Sequence, residues 1–285
     1  MSASPALRRG LLIGALLLPG LGYLMLFFAG PLLNVLYGSF LDEAGRFTLA
    51  NYAEVFTRPT LQRGLSTSIY YGVMPVLLTL AVSLPLALLL RRSFVGRAWF
   101  NGLYKIPMAV PGIIVALMLL TVGEQGGILS RLLAPIGFSA PRLVRDEWGV
   151  GVILASTWKQ VPFMTLVITG AFAAIPEEVS HAARALGASR WRTVLFVEIP
   201  LAMPGITAAV LLTFIGSMGS YAIPDLVGPA NPRPLSVLMV QAFNQGNFPE
   251  VFAMGMVLAG FAVAVLLAYD MMTSRFGQLT SEAAR

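Results

Sequence analysis

From Gly10 to Leu41 the chain carries no charged residue. That is longer than the about 20 apolar residues one helical crossing of a bilayer needs. In hydrocarbon every backbone N–H and C=O must be satisfied within the segment, so an uninterrupted helix is the form open to it. The same pattern recurs along the chain. Candidate spans are Leu11–Tyr37, Leu65–Leu90, Trp99–Val122, Trp148–Ile175, Leu201–Val227 and Val251–Thr273. Hydrophobic residues make up 57% of the sequence and charged ones 11%, against roughly 25% charged in a soluble domain. The expected fold is an all-α membrane protein of six transmembrane helices, forming one domain over residues 1–285.

The opening MSASPALRRG is followed by an apolar run too long for a signal-peptide core, and no small-x-small site closes it. It reads as an uncleaved first span, with Arg8 and Arg9 as anchors rather than a twin-arginine signal. The absence of cysteine excludes disulfides and thiolate metal sites. A net charge of +6 raises the question of nucleic acid, but the basic residues are scattered between spans and form no continuous patch. Topology accounts for them instead. With the N-terminus inside, the inner segments hold Arg8, Arg9, Arg91, Arg92, Arg97, Arg184, Arg190, Arg192, Arg275 and Arg285. The longer outer segments hold Arg46, Arg58, Arg63, Arg131, Arg142, Arg145 and Arg233. The bias is modest and favours both termini inside. The polar stretch Phe47–Gly64 on the outer side is expected to be a short amphipathic surface helix.

Between the fourth and fifth spans lies a charged island, EEVSHAARALGASRWRTVLFVEIPLAMPG, at Glu177–Gly205. Glu177 and Glu178 follow Pro176, where negative charge favours a helix start. Gly187 then offers a hinge, a second and basic segment follows, and Pro200 is expected to stop it. Such a loop is too structured to be a tether. It reads as two short helices meant to dock onto another protein, with Arg184, Arg190 and Arg192 offering charged contacts.

This island resembles the EAA loop of permease subunits in binding-protein-dependent ABC importers of type I. The match runs through His181-Ala182-Ala183, then Gly187-Ala188-Ser189, then Val197-Glu198-Ile199-Pro200, with Pro204-Gly205 downstream. His181 departs from the pattern, since the family usually has Glu there. FTLANYAEVF, KIPMAVPGIIVAL and GSYAIPDLVGP look like the spermidine/putrescine-type branch. The resemblance covers nearly the whole chain and implies a coupling loop over residues 176–204. It implies contacts to a separate ATP-binding-cassette ATPase through Glu177, Glu178, His181, Ala182, Ala183, Arg184, Gly187, Ala188, Arg190 and Pro200. It also implies a second, homologous permease as heterodimer partner, a periplasmic solute-binding protein, and a multi-pass place in a bacterial inner membrane.

No cofactor is expected on this chain. A Walker A loop needs Lys followed by Ser or Thr, and the two lysines are Lys105 before Ile106 and Lys159 before Gln160. ATP and Mg are therefore expected on the partner. Lys159 lies roughly 16 Å into the fourth span at 1.5 Å per residue. A charge at that depth is costly and is usually functional or paired. Two readings stay open: a residue of the solute pathway, or a structural charge paired with Asp225 or reaching along a cavity. Trp158, Tyr221, Asp225 and Asn244 are further candidates for the lining. A secondary transporter or channel is the competing function. It would need repeated halves or acidic ion sites within spans, and Asp270 is the one carboxylate near an inner span end.

Overall fold

The computed structural model describes the backbone of residues 5–91 and 93–282, and side chains within 13–91, 93–269 and at Met271. The side chains of Arg8, Arg9, Arg92, Asp270, Arg275 and Arg285 lie outside that set. The described chain is helical almost throughout. In order come α1 (Pro5–Leu24), a π-helical turn (Met25–Ala29), α2 (Gly30–Gly38), α3 (Ala50–Thr57), α4 (Pro59–Leu90), α5 (Arg97–Leu103), α6 (Ile106–Ala109), α7 (Gly112–Gly123) and α8 (Ile128–Leu133). Then follow α9 (Val150–Ala173), α10 (Glu177–Ala185), α11 (Arg190–Thr193), a second π turn (Val194–Glu198), α12 (Ile199–Met218), α13 (Ala222–Val227), α14 (Leu235–Asn244) and α15 (Phe248–Glu282). Among the described residues six stretches are long and apolar enough to cross a membrane: Ile13–Gly38, Pro59–Leu90, Gly112–Ile136, Val150–Ala173, Arg190–Met218 and Phe248–Tyr269.

The chain divides into two compact units, one of Met1–Arg58 with Met239–Val257 and one of Pro59–Leu238 with Leu258–Arg285. In the first, Asn51 donates to the carbonyls of Ser39 and Leu41, at 3.1 and 2.8 Å, and Ser39 and Tyr52 share a hydroxyl hydrogen bond of 2.6 Å. Arg58 pairs with Glu54 and Glu250, and Asn247 donates to Glu250. The surface helix is shorter than Phe47–Gly64. It ends at Thr57 because Pro59, with φ pre-set for a first helical turn, already opens α4.

The second unit is built on α4, α9 and α12, which pack on one another. Small residues let them close in. A side chain at Gly205 would run into Ala171, and one at Gly72 into Phe214. Ser83 Oγ donates across the interface to the Val161 carbonyl at 3.2 Å. Beside them Tyr71, Val115, Val152, Ile153, Ile223 and Val227 form a buried apolar cluster that holds α7 and α13 against α9.

Two expectations about the spans need correction. The third, which carries Pro107, Pro111 and Gly112, does not begin at Trp99. Pro107 and Pro111 supply no N–H, and Val110 is extended (ψ 123°), as the residue before a proline prefers. The membrane-length stretch begins only at Gly112. The fifth does not start after a stop at Pro200. The helix runs on from Arg190 to Met218, because the turn before the proline is π-helical and Ile199 N–H bonds back to Val194. That wider turn accommodates the ring. At the far end the helix stops at Met218, so Tyr221 and Asp225 lie beyond it, at the start of α13.

Candidate functional site

The charged island folds as expected into two helices around Gly187. Glu177 and Glu178 occupy the first turn of α10 and Arg184 the last, each with the sign that favours the helix dipole. Ala188 N–H bonds back to the Ala183 carbonyl at 3.1 Å and Gly187 N–H to Arg184 at 3.0 Å. This pair of bonds is a Schellman ending, which needs a left-handed residue, and Gly187 sits at φ 90°. Ser189 then caps α11, accepting from the Arg192 amide at 3.4 Å. His181, Ala182, Arg184 and Arg190 are exposed, and Ala183 and Ala188 are half-buried. Pro200 is set apart from the turn, in the first turn of α12.

What fixes this element to the spans is a group the motif pattern does not single out. Glu198, in the π turn before α12, is 8% exposed at its side chain. Arg91, one residue past α4, donates to its carboxylate through Nη1 at 2.6 Å and Nη2 at 3.4 Å. Ser180 of α10 donates to the same carboxylate at 2.7 Å. The Arg91 guanidinium also lies over the ring of Phe172 from α9, 5.1 Å from its centroid. Four elements thus meet on one ion pair. The forked, charge-assisted geometry is directional, so α10 cannot shift without pulling on the ends of α4 and α12. The signal in the sequence was a lone acid two residues before Pro200 and a basic residue at a span end, with nothing local to join them.

Lys159 is half-buried, and its partner is not Asp225. Its Nζ donates to the carbonyl of Val110 at 2.7 Å, at the break between α6 and α7. The extended residue leaves that carbonyl outside any helical ladder, and the ammonium satisfies it. Asp225 instead accepts from Tyr221 Oη at 3.0 Å. The neighbouring Gln160 donates to Ser217 of α12. Trp158 and Tyr221 are each 40% exposed. Lys159, Trp158, Tyr221 and Asp225 belong to the second unit, while Asn244 ends α14 in the first and is exposed. No group of three or more His, Asp or Glu side chains fit to hold a metal ion occurs among the described residues.

Comparison with known proteins identifies the framework. A family described as the binding-protein-dependent transport system inner membrane component matches residues 80–278, which include the whole of α9 to α14. A probable molybdenum ABC transporter permease from Haloferax volcanii is 30% identical over 223 residues, covering 76% of this chain and 78% of its own. The sulfate transport system permease of Escherichia coli is 26% identical over 247 residues, covering 83% and 85%. Among solved structures, a bacterial alginate ABC transporter in complex with an alginate-pentasaccharide-bound periplasmic protein superposes with a TM-score of 0.81. It covers 95% of this chain and 96% of that one at 19% identity, a likeness of fold. The chain belongs to the inner membrane components of binding-protein-dependent transport systems.

Proposed function

We propose that this chain is the permease subunit of an ABC importer that carries a small anionic or zwitterionic solute from a periplasmic binding protein into the cytoplasm. ATP hydrolysis in a separate subunit drives it, so the chain itself is non-catalytic. The observation that carries the reading is the element around Gly187, where α11 runs directly into the fifth span and α10 is tied to the ends of spans through Ser180 and the Arg91–Glu198 pair. A rigid element of that kind converts displacement by an ATPase into displacement of helices. Glu178, Ala182, Ala188 and the turn at Gly187 form its docking surface, with Glu177, His181, Arg184 and Arg190 along its flanks. A second, homologous permease completes the pathway, and the charge bias places α10 and α11 on the cytoplasmic side.

Solute charge follows from Lys159. An unpaired ammonium repels a cation by about 4 kcal/mol at 4 Å for an effective dielectric near 20. Its contact in this structure is a neutral carbonyl rather than a carboxylate, so its charge is not cancelled. That weighs against the polyamine branch. Relatives named for sulfate and molybdenum transport support an anion, while one named for trehalose and maltose shows that the fold also serves neutral solutes. The test is ATP hydrolysis by the chain co-purified with its ATPase and reconstituted in liposomes. Loaded binding protein should stimulate hydrolysis when the solute is an oxyanion. Stimulation by polyamines alone would overturn the charge reading, and uptake without ATP would overturn the importer reading.

A further inference from the structure

Beside the ion pair a cleft of about 650 Å³ opens between the end of α4 and the α10–α11 segment. Its two ends differ in chemistry. Leu84, Leu88 and Leu89 of the membrane-length helix α4 line one wall, and Arg184, Arg190 and Trp191 line the other. On α10 the residues that reach the cleft are Glu177, Ser180, His181 and Arg184. Spacings of three and four put them on one helix face. Glu178, Ala182 and Ala185 are exposed and absent from the lining, which leaves a second face for a protein partner. Arg91 and Glu198 neutralise each other at the cleft's base. Arg184 donates through Nε to the Ser180 carbonyl at 3.2 Å and acts electrostatically on Glu198, Arg190 forms no ion pair among the described residues, and the arginines of the lining exceed its carboxylates by one.

We infer that this cleft holds one anionic phospholipid, its phosphate between Arg184 and Arg190 and an acyl chain along Leu84, Leu88 and Leu89. The inference rests on the reading of α4 as a membrane span, and on nothing about the solute or the ATPase. Depth argues for a lipid. Aliphatic side chains at the end of a span, followed by cations and an indole where the span ends, match the order of acyl chain, phosphate and interface. A basic recess beside the ends of spans is a site for acidic headgroups. The second permease and the ATPase dock by protein surfaces, and neither requires a recess with this gradient.

The test uses the full chain in lipid nanodiscs, with Trp99, Trp148 and Trp158 replaced by Phe so that Trp191, 70% exposed, reports alone. Brominated phosphatidylglycerol and brominated phosphatidylcholine are titrated as quenchers. Each basic residue near the headgroups is worth roughly fivefold in attraction, and the opposing Glu177 cancels one of the two, leaving about a fivefold preference for the anionic lipid. Arg184→Gln with Arg190→Gln should abolish that preference, and Glu177→Gln should strengthen it, a gain that misfolding cannot imitate. Equal quenching by the two lipids overturns the site, as does a preference that survives the double substitution. Loss of the preference on adding inorganic phosphate assigns the cleft to a free anion. Protection of Trp191 from both lipids in the assembled transporter assigns it to the ATPase. Either result overturns the lipid.

Discussion

Arg91 and Glu198 stand 107 residues apart in sequence and meet at 2.6 Å, one at the end of α4 and the other at the entry to α12. Ser180 adds α10 to the same carboxylate. The pair joins α10 to the ends of two spans. Breaking a buried pair by removing one partner typically costs about 3–5 kcal/mol. Arg91 is 27% exposed, so water retains part of its solvation and the expected loss for Glu198→Leu is about 1–3 kcal/mol. Arg91→Met with Glu198→Leu should recover part of it, since neither charge is then orphaned. A double-mutant cycle on unfolding in detergent should give a coupling of about 1–3 kcal/mol. Additive losses would dissolve the joint. Assembled with the ATPase, both single variants should also support ATP hydrolysis without matching uptake.

Gly187 tests separately whether an ATPase docks at this turn. At φ 90° a Cβ meets nothing within 4 Å, so the cost of a side chain is conformational and not steric. A left-handed backbone costs a β-carbon-bearing residue roughly 1–2 kcal/mol, and Asn tolerates it best. Gly187→Ala and Gly187→Val should reduce co-purification of the ATPase in that order, while Gly187→Asn keeps most of it. If all three co-purify like the parent, the turn is not the docking point.

Some of this was legible in the sequence and some could not be. Length and hydropathy revealed six spans, because the hydrocarbon thickness sets a length that composition alone can meet. Gly187 was legible because a helix ending in Gly has a local cause in the left-handed residue it needs. The run-on helix at Pro200 was not, since the π turn that accommodates the ring depends on Ile199 bonding to Val194. Pro107, Pro111 and Gly112 mark a break in the third span in the sequence, but hydropathy over residues 99–122 does not say that the membrane-length stretch begins only at Gly112. The motif includes Glu198, but its pairing with Arg91 is not legible because the partners are distant in sequence. For Lys159 the sequence leaves a pathway role and a structural pairing open, because depth fixes level but not direction around the helix. Lys159 meets Val110.

Lys159 carries the third prediction. Removing its ammonium leaves a carbonyl unpaired at a helix break, which costs about 1–3 kcal/mol. Lys159→Met should lower the unfolding temperature and abolish uptake, and Lys159→Arg should restore the fold. Lys159→Glu separates structure from pathway. It cannot donate to Val110, and it reverses the charge an anionic solute would meet. Assembly and basal ATP hydrolysis with selective loss of uptake marks a pathway residue. Unchanged uptake in Lys159→Met and Lys159→Glu alike would leave only the structural role.

The last prediction fixes orientation. The chain contains no cysteine, so single cysteines can be placed without background. Leu186, 90% exposed beside Gly187, and Arg142, exposed in the segment between α8 and α9, lie in segments that the charge count sends to opposite sides. In intact cells an impermeant maleimide should label Arg142→Cys and should reach Leu186→Cys only after lysis. Exposure at both sites means that failure to label reports the membrane and not burial. The assembled ATPase should shield Leu186→Cys even in inverted vesicles, since that residue lies next to Gly187. Labelling of Leu186→Cys from outside would invert the topology and, with it, the side on which any ATPase meets α10.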